Sequence, residues 1–135
     1  MNIQKISIPK IEDYRGNIAV IENNVLPFEV KRVYYLYDIP STAARGGHAH
    51  RKQSEFLIAI SGSFDLVLND GETTQTITLN KPDQGILIPT NIWRELENFS
   101  SGAVCLVLAS DSFDEADYIR NFDDYTKYIN QKLTF

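Results

Sequence analysis

The sequence has little of the chemistry that cross-links, anchors or metallates a protein. One cysteine among 135 residues excludes an internal disulfide. Cys105 lies in the apolar run 103–108, which predicts a buried small hydrophobic side chain rather than a nucleophile. The N-terminal residues contain no apolar signal core, and no apolar stretch is long enough to span a bilayer. These absences predict a protein of the reducing cytoplasm without a membrane partner.

Positive charge is also scarce. The chain has 13 Lys and Arg against 18 Asp and Glu, a formal net charge of -5. No basic cluster is longer than Arg51-Lys52, which argues against a nucleic-acid partner because such proteins usually carry a basic patch. An anionic ligand must therefore be held by a few local cations.

Short strands separated by turns are predicted over most of the chain. Apolar or alternating segments of about four to eight residues are bounded by Gly, Pro, Asn and Asp. Asp70-Gly71 is a strong hairpin signal because Asp-Gly adopts positive φ at little cost. The predicted strands are 2–8, 18–22, 31–38, the strand that carries the histidines, 54–60, 64–68, 73–79, 86–89, 93–99 and 103–109. The last is the most apolar, so we expect it to be central.

The composition changes after Ser110, where the chain becomes acidic and interrupted. Asp123 is the predicted N-cap of a terminal helix that extends to about Lys132. Its apolar stripe consists of Tyr125, Tyr128, Ile129 and Leu133. The pattern predicts one domain over residues 1–135, an all-β barrel or jelly roll with a short C-terminal helix.

Both histidines of the chain lie two residues apart, at His48 and His50. On a strand they point to the same face, and Glu55 could lie opposite them on an adjacent antiparallel strand. The pattern His-x-His, four residues, Glu, six residues, Gly62 resembles the first motif of the cupin superfamily, which implies a small cupin-type β-barrel. In many cupins this motif binds a metal.

A third metal ligand is missing from the sequence. The counterpart of the second cupin motif runs from Gly85 through Pro89, and its ligand position falls on or beside Trp93 or Arg94. Neither residue is a plausible ligand, and arginine repels a divalent cation. Two His and one Glu could still form a facial triad. We favour a metal-free pocket whose histidines act as acid and base.

Other candidates lie on neighbouring segments. Tyr35 and Tyr37 share a strand face, with Tyr34 on the other, and either could be core or a proton donor. Arg45, beside two glycines, is the better candidate for phosphate, whereas Lys52 could be a solvated charge. Trp93 is either core or a pocket wall.

Segments along nearly the whole chain resemble one narrower cupin family, the nucleotide-sugar 3,4-ketoisomerases of deoxysugar biosynthesis. The matching segments are Asp13-x-Arg15-Gly16-x-Ile18, Pro27-Phe28-x-x-Lys31-Arg32-Val33-Tyr34-Tyr35, Arg45-Gly46-Gly47-His48-Ala49-His50, Leu57-Ile58-Ala59-Ile60-Ser61-Gly62-Ser63, Asp70-Gly71 and Asp117-Tyr118-Ile119-Arg120. One departure is Glu55, where the family usually carries Gln. Glu55 could be a second acid or base, or a sign of a bound metal or of different chemistry.

The resemblance implies a dTDP-4-keto-6-deoxyhexose substrate whose ketone moves from C4 to C3 without a metal or redox cofactor. It also implies a homodimer whose N-terminal strands cross to the partner. It places the base on His50. We expect His48, together with Tyr37 or Tyr35, to act as donors at the substrate oxygens. The expected substrate-binding residues are Arg45 at the diphosphate, Trp93 as a pocket wall, and Lys52, Glu55 and Arg94.

Three other functions fit parts of the same pattern. A 3,5-epimerase of similar sugars also uses a barrel histidine and a tyrosine. A non-catalytic sugar-binding cupin needs no base, so the histidine pair argues against it. A metal-dependent oxygenase would require a transition metal at the His48–His50–Glu55 cluster.

Overall fold

The computed structural model describes residues 1–133. Its strands are β1 (Gln4–Ser7), β2 (Lys10–Asp13), β3 (Gly16–Ala19), β4 (Arg32–Leu36), β5 (Arg45–His50), β6 (Glu55–Ser61), β7 (Phe64–Asn69), β8 (Thr74–Leu79), β9 (Gln84–Ile88), β10 (Trp93–Glu97), β11 (Val104–Ala109) and β12 (Tyr118–Ile119). Short 3-10 turns cover Asn23–Val25 and Glu115–Asp117, and helix α1 spans Phe122–Leu133. No helix within this range has the length and apolar character needed to cross a membrane.

Two five-stranded antiparallel sheets pack face to face. One has the order β1-β9-β6-β11-β4 and the other β12-β5-β10-β7-β8. Leu57 and Val107 of the first sheet share one buried cluster with Leu66 and Leu96 of the second. The alternating burial along β7 is typical of a strand with one face on a core. The predicted all-β cupin-type barrel with a short C-terminal helix is confirmed.

The first sheet is covered on its outer face as well. Phe56, Ile58 and Leu108 pack there against Ile8 and Leu26 of the N-terminal segment. β6 is therefore buried on both faces over most of its length, which explains its continuous apolar run. The expectation that residues 103–109 form a central strand is confirmed, because β11 lies inside the first sheet and pairs with β4 on one side and β6 on the other.

The N-terminal region holds one more strand than predicted. β2 and β3 form a separate two-stranded hairpin with Asp13 opposite Gly16. The tight turn was predicted, but the second strand begins and ends earlier than residues 18–22. Gly16 has φ 124°, a conformation that favours glycine and lets the chain reverse there.

Helix α1 covers the outer face of the second sheet. Tyr125 and Ile129 are buried against Trp93 and Ile119, and the Tyr125 hydroxyl donates to backbone carbonyls at Asn69 and Asn91. The predicted N-cap at Asp123 was wrong. The Asn121 side chain accepts from the Asp124 backbone N–H at 3.0 Å, so the cap is Asn121, just before the first helical residue.

Candidate active site

The two histidines lie side by side at one end of the barrel interior. His48 and His50 alternate along β5, and their side chains are both buried. Their ring centroids are 4.8 Å apart with the rings nearly perpendicular. The predicted shared face is therefore observed.

A buried carboxylate holds the His50 ring. Asp117 Oδ2 lies 3.0 Å from His50 Nδ1, and the same carboxylate accepts from the backbone N–H groups of Lys52 at 2.7 Å and Gln53 at 3.2 Å. Asp117 directly precedes β12, where Tyr118 is opposite His50 of β5. Because an ionised carboxylate can only accept, the ring proton lies on Nδ1 and the Nε2 lone pair is free.

Glu55 reaches the histidines from the opposite sheet. The expectation that Glu55 lies on a strand adjacent to the histidines was wrong, because β5 pairs with β10 and β12 and not with β6. Glu55 Oε1 lies 3.7 Å from His50 Nε2 across the barrel. That distance is too long for a hydrogen bond, so Nε2 keeps its lone pair.

Arg94 and Tyr34 hold the Glu55 carboxylate. Arg94 Nε lies 2.7 Å from Glu55 Oε1, the Tyr34 hydroxyl donates to Oε2 at 2.6 Å, and Gln53 Nε2 donates to Oε2 at 3.1 Å. Arg94 Nη2 also donates to the Tyr34 oxygen at 3.0 Å. Burial alone would raise the pKa of Glu55, but Arg94, His50 and Tyr34 together hold this pKa below its usual value.

Burial also keeps both imidazoles neutral. It lowers the pKa of His48 to about 2, with the positive charge of Arg94 acting in the same direction. Burial lowers the pKa of His50 as well, against the opposing effects of Glu55 and Asp117. At neutral pH His50 is thus an uncharged base that could be protonated beside two carboxylates.

Donor atoms of His48, His50 and Glu55 lie within 4.8 Å of one another, which is close enough for a shared metal ion. The guanidinium of Arg94, however, is buried beside this cluster and forms an ion pair with Glu55. A divalent cation there would face a permanent positive charge and would have to displace it from the carboxylate. The residues present therefore do not fit a metal centre.

A cavity of about 530 Å³ opens beside His48, which forms part of its wall. Four arginines line it, although the chain is acidic overall. They are Arg32, Arg45, Arg94 and Arg120. Arg45 and Arg94 were candidates from the sequence, whereas Arg32 and Arg120 were not.

The two predicted tyrosines are largely exposed, and of the two only Tyr35 borders the cavity. Tyr35 and Tyr37 are 61% and 59% exposed, and their rings contact each other. Tyr34, the residue before Tyr35 on β4, points inward, where its hydroxyl donates to Glu55. The pairing of Tyr35 or Tyr37 with His48 as groups at the substrate oxygens is thus not supported by the side-chain directions.

Trp93 and Lys52 lie outside the cavity. Trp93 packs on the far side of β10 against Phe122 and Tyr125 of α1, so it is a core residue and not a pocket wall. The inward side chain is that of Arg94, its neighbour. Lys52 is exposed and forms an ion pair with Asp114 at 3.4 Å, so its predicted substrate contact is not supported.

Sequence reasoning missed the two residues that β12 brings to the histidines, Asp117 and Tyr118. The Tyr118 ring centroid lies 4.3 Å from that of His50 and 4.9 Å from that of His48. The segment Asp117-Tyr118-Ile119-Arg120 contributed to the family resemblance, and this was the only signal for it. No spacing rule connects Asp117 to His50, which is 67 residues away.

Comparisons with known proteins identify the family of the chain. The family model described as FdtA (WxcM-like, C-terminal) matches residues 1–130. A TDP-4-oxo-6-deoxy-alpha-D-glucose-3,4-oxoisomerase of Aneurinibacillus thermoaerophilus is 44% identical over 130 residues, covering 96% of this chain and 94% of that protein.

Solved structures give the same result. A 3,4-ketoisomerase from Helicobacter canadensis superposes with a TM-score of 0.93 at 43% identity, covering 96% of this chain and 98% of the other. The sugar 3,4-ketoisomerase QdtA from Thermoanaerobacterium thermosaccharolyticum, solved with TDP, has a TM-score of 0.94 at 38% identity, with 97% and 96% covered.

The epimerase alternative has weaker support. A 3'-monoepimerase from Streptomyces bikiniensis is only 12% identical at a TM-score of 0.76, which indicates a shared fold and no more. The match over residues 1–130 and the high identity to sugar 3,4-ketoisomerases agree with the predicted resemblance. This chain therefore belongs to the cupin-type sugar 3,4-ketoisomerase family.

Proposed function

We propose that this protein is an isomerase that moves the ketone of a dTDP-4-keto-6-deoxyhexose from C4 to C3. The observation that carries the proposal is His50, whose Nδ1 is held by Asp117 while its buried Nε2 has no hydrogen-bond partner; the adjacent His48 lines the arginine-rich cavity. Such an arrangement is a base with a fixed tautomer, and binding alone would not require it.

The chemistry needs no metal or redox group. The C3 proton is acidic because it is α to the C4 carbonyl, and removing it leaves an enediolate. His50 takes this proton at Nε2, and the resulting imidazolium lies between the carboxylates of Asp117 and Glu55. Returning the proton to C4 leaves the ketone at C3, provided that a proton also moves between the two oxygens.

The cavity fits an anionic sugar nucleotide. We propose that Arg45 binds the diphosphate, because it is exposed on the cavity wall and arginine can contact phosphate through two N–H groups. The QdtA structure with TDP, and a QdtA variant solved with TDP-4-keto-6-deoxyglucose, support this ligand class. We propose that neutral His48, which lines the cavity, donates a hydrogen bond to a sugar oxygen.

Incubation with dTDP-4-keto-6-deoxyglucose in D₂O, followed by NMR, tests the proposal. We expect a 3-keto product, with deuterium entering only at carbons of the C3–C4 enediolate. Deuterium at C5 without movement of the carbonyl would indicate an epimerase instead. Tight binding with neither product nor exchange would indicate a sugar-binding cupin.

We also propose that the protein is a cytoplasmic homodimer. Cytoplasmic location fits the free cysteine, and cell fractionation would test it.

The dimer is supported by the hairpin of β2 and β3. Among residues 1–133 these strands pair only with each other, and Ile11 and Ile18 of this hairpin are largely exposed. A lone two-stranded hairpin is marginally stable in water, so it needs another surface to pack on.

The exposed face of β4, with Val33 and Tyr35, offers a matching apolar surface for a second copy. Light scattering should give twice the mass of one chain. The double variant Ile11→Asp and Ile18→Asp should shift this mass toward a single chain, and a wild-type mass of one chain would refute the dimer.

A further inference from the structure

Tyr118 is a polar side chain that packs on both histidines. Its ring contacts His50 and His48, and its hydroxyl accepts a hydrogen bond from Arg32 Nη1 at 3.0 Å. Tyr118 and Arg32 both line the cavity. Because Arg32 occupies only an oxygen lone pair, the hydroxyl proton of Tyr118 is free to be donated to a ligand.

The proposed reaction needs such a group. While His50 moves a proton from C3 to C4, another proton must move from O3 to O4. His48 is a weak choice, because burial lowers its pKa to about 2, so the imidazolium that forms when it takes the O3 proton is strongly disfavoured. It can donate a hydrogen bond but is a poor proton shuttle.

Tyr34 is also unsuited to this transfer. Its hydroxyl donates to Glu55 at 2.6 Å and accepts from Arg94 at 3.0 Å. Burial raises its pKa further, with the Glu55 charge acting in the same direction and Arg94 opposing it. Donating its proton to a substrate would break the bond that holds the Glu55 carboxylate.

We propose that Tyr118 is the group that moves the proton between the substrate oxygens, with Arg32 stabilising its anionic form. The proposal rests on the ketoisomerase function above. It replaces Tyr35 and Tyr37, whose side chains are largely exposed. A guanidinium N–H already bonded to the phenol oxygen stabilises the tyrosinate as soon as it forms.

The steps balance without another reactant. His50 Nε2 removes the C3 proton, the C3–H electrons form the C3=C4 bond, and the C4=O electrons move onto O4. Tyr118 gives its proton to O4 and takes the proton of O3. The electrons on O3 then form C3=O, the C3=C4 electrons take the proton from His50, and both side chains return to their starting forms.

Tyr118→Phe separates this role from that of the base. Phenylalanine keeps the ring that packs on the histidines and on Arg120, so only the hydroxyl is lost. We expect ketone transfer to fall by about 100-fold or more. Exchange of the C3 proton with D₂O should stay within a few-fold of wild type, because His50 and its tautomer are unchanged.

Tyr128→Phe is the matched control, since this tyrosine lies on α1 and its hydroxyl donates to Asn91 Oδ1. The control should keep both rates. If Tyr118→Phe isomerises at the normal rate, or if it loses exchange and isomerisation together, the proposal is wrong. If the wild-type protein shows neither reaction, the proposed function itself fails, which is a distinct result.

Discussion

Replacing His50 with asparagine should lower the rate of ketone transfer by about 10⁴-fold and abolish exchange of the C3 proton with solvent. His48 does not take its place, because burial and the charge of Arg94 lower its pKa to about 2. Asparagine can keep an N–H toward Asp117, which limits damage to the Asp117–β5 contact. Binding of the nucleotide sugar should persist, because the arginines of the cavity remain.

The loss of C3 exchange distinguishes this variant from Tyr118→Phe, which should retain it. Calorimetric titration with the nucleotide sugar supplies the binding control. Near-normal turnover by His50→Asn would remove His50 from the mechanism.

The wild-type pH profile offers an independent check. Because burial lowers the pKa of His50, the acid limb of kcat/KM should occur at a pH below 6.5, the usual pKa of histidine.

Local signals predicted the strands and the histidine pair. Asp70-Gly71 forms the β7–β8 turn with Gly71 at φ 98°, and His48 and His50 share a face because strand side chains alternate. Both features depend on residues close together in sequence. Such features can be predicted without knowing which sheet a strand joins.

The predictions were wrong where the placement of a side chain depended on strands or helices distant in sequence. Alternation grouped Tyr35 with Tyr37 but could not say which face of β4 meets the barrel. Likewise it separated Trp93 from Arg94 without showing that α1 covers the Trp93 side. Asp117 reaches His50 only because β12 pairs with β5, a contact that the sequence pattern does not encode.

Glu55 is easier to understand in its three-dimensional context. From the sequence alone, it could have indicated a metal or a second base. In the structure, its ion pair with Arg94 and the hydrogen bond from the Tyr34 hydroxyl keep its carboxylate charged. Its Oε1 atom lies 3.7 Å from His50 Nε2. An ionised Glu55 there stabilises the imidazolium that forms when His50 takes the C3 proton.

Asp117→Asn should lower kcat by about 10²- to 10³-fold with a smaller effect on KM, because it reverses the tautomer of His50. An amide nitrogen facing Nδ1 donates to it, so the ring proton moves to Nε2 and the base loses its lone pair. Asp117 also raises the pKa of His50. Removing its charge should therefore move the acid limb of kcat/KM to lower pH.

These readouts separate the tautomer effect from structural damage, since Asp117 also accepts from the backbone at Lys52 and Gln53. In ¹⁵N NMR the wild-type His50 should carry its proton on Nδ1, and the variant should carry it on Nε2. Asp114→Asn, on the exposed side of the same turn, should leave the tautomer and kcat unchanged. An Asp117→Asn protein that retains the Nδ1 proton and normal turnover would show that Asp117 braces β5 without directing the base.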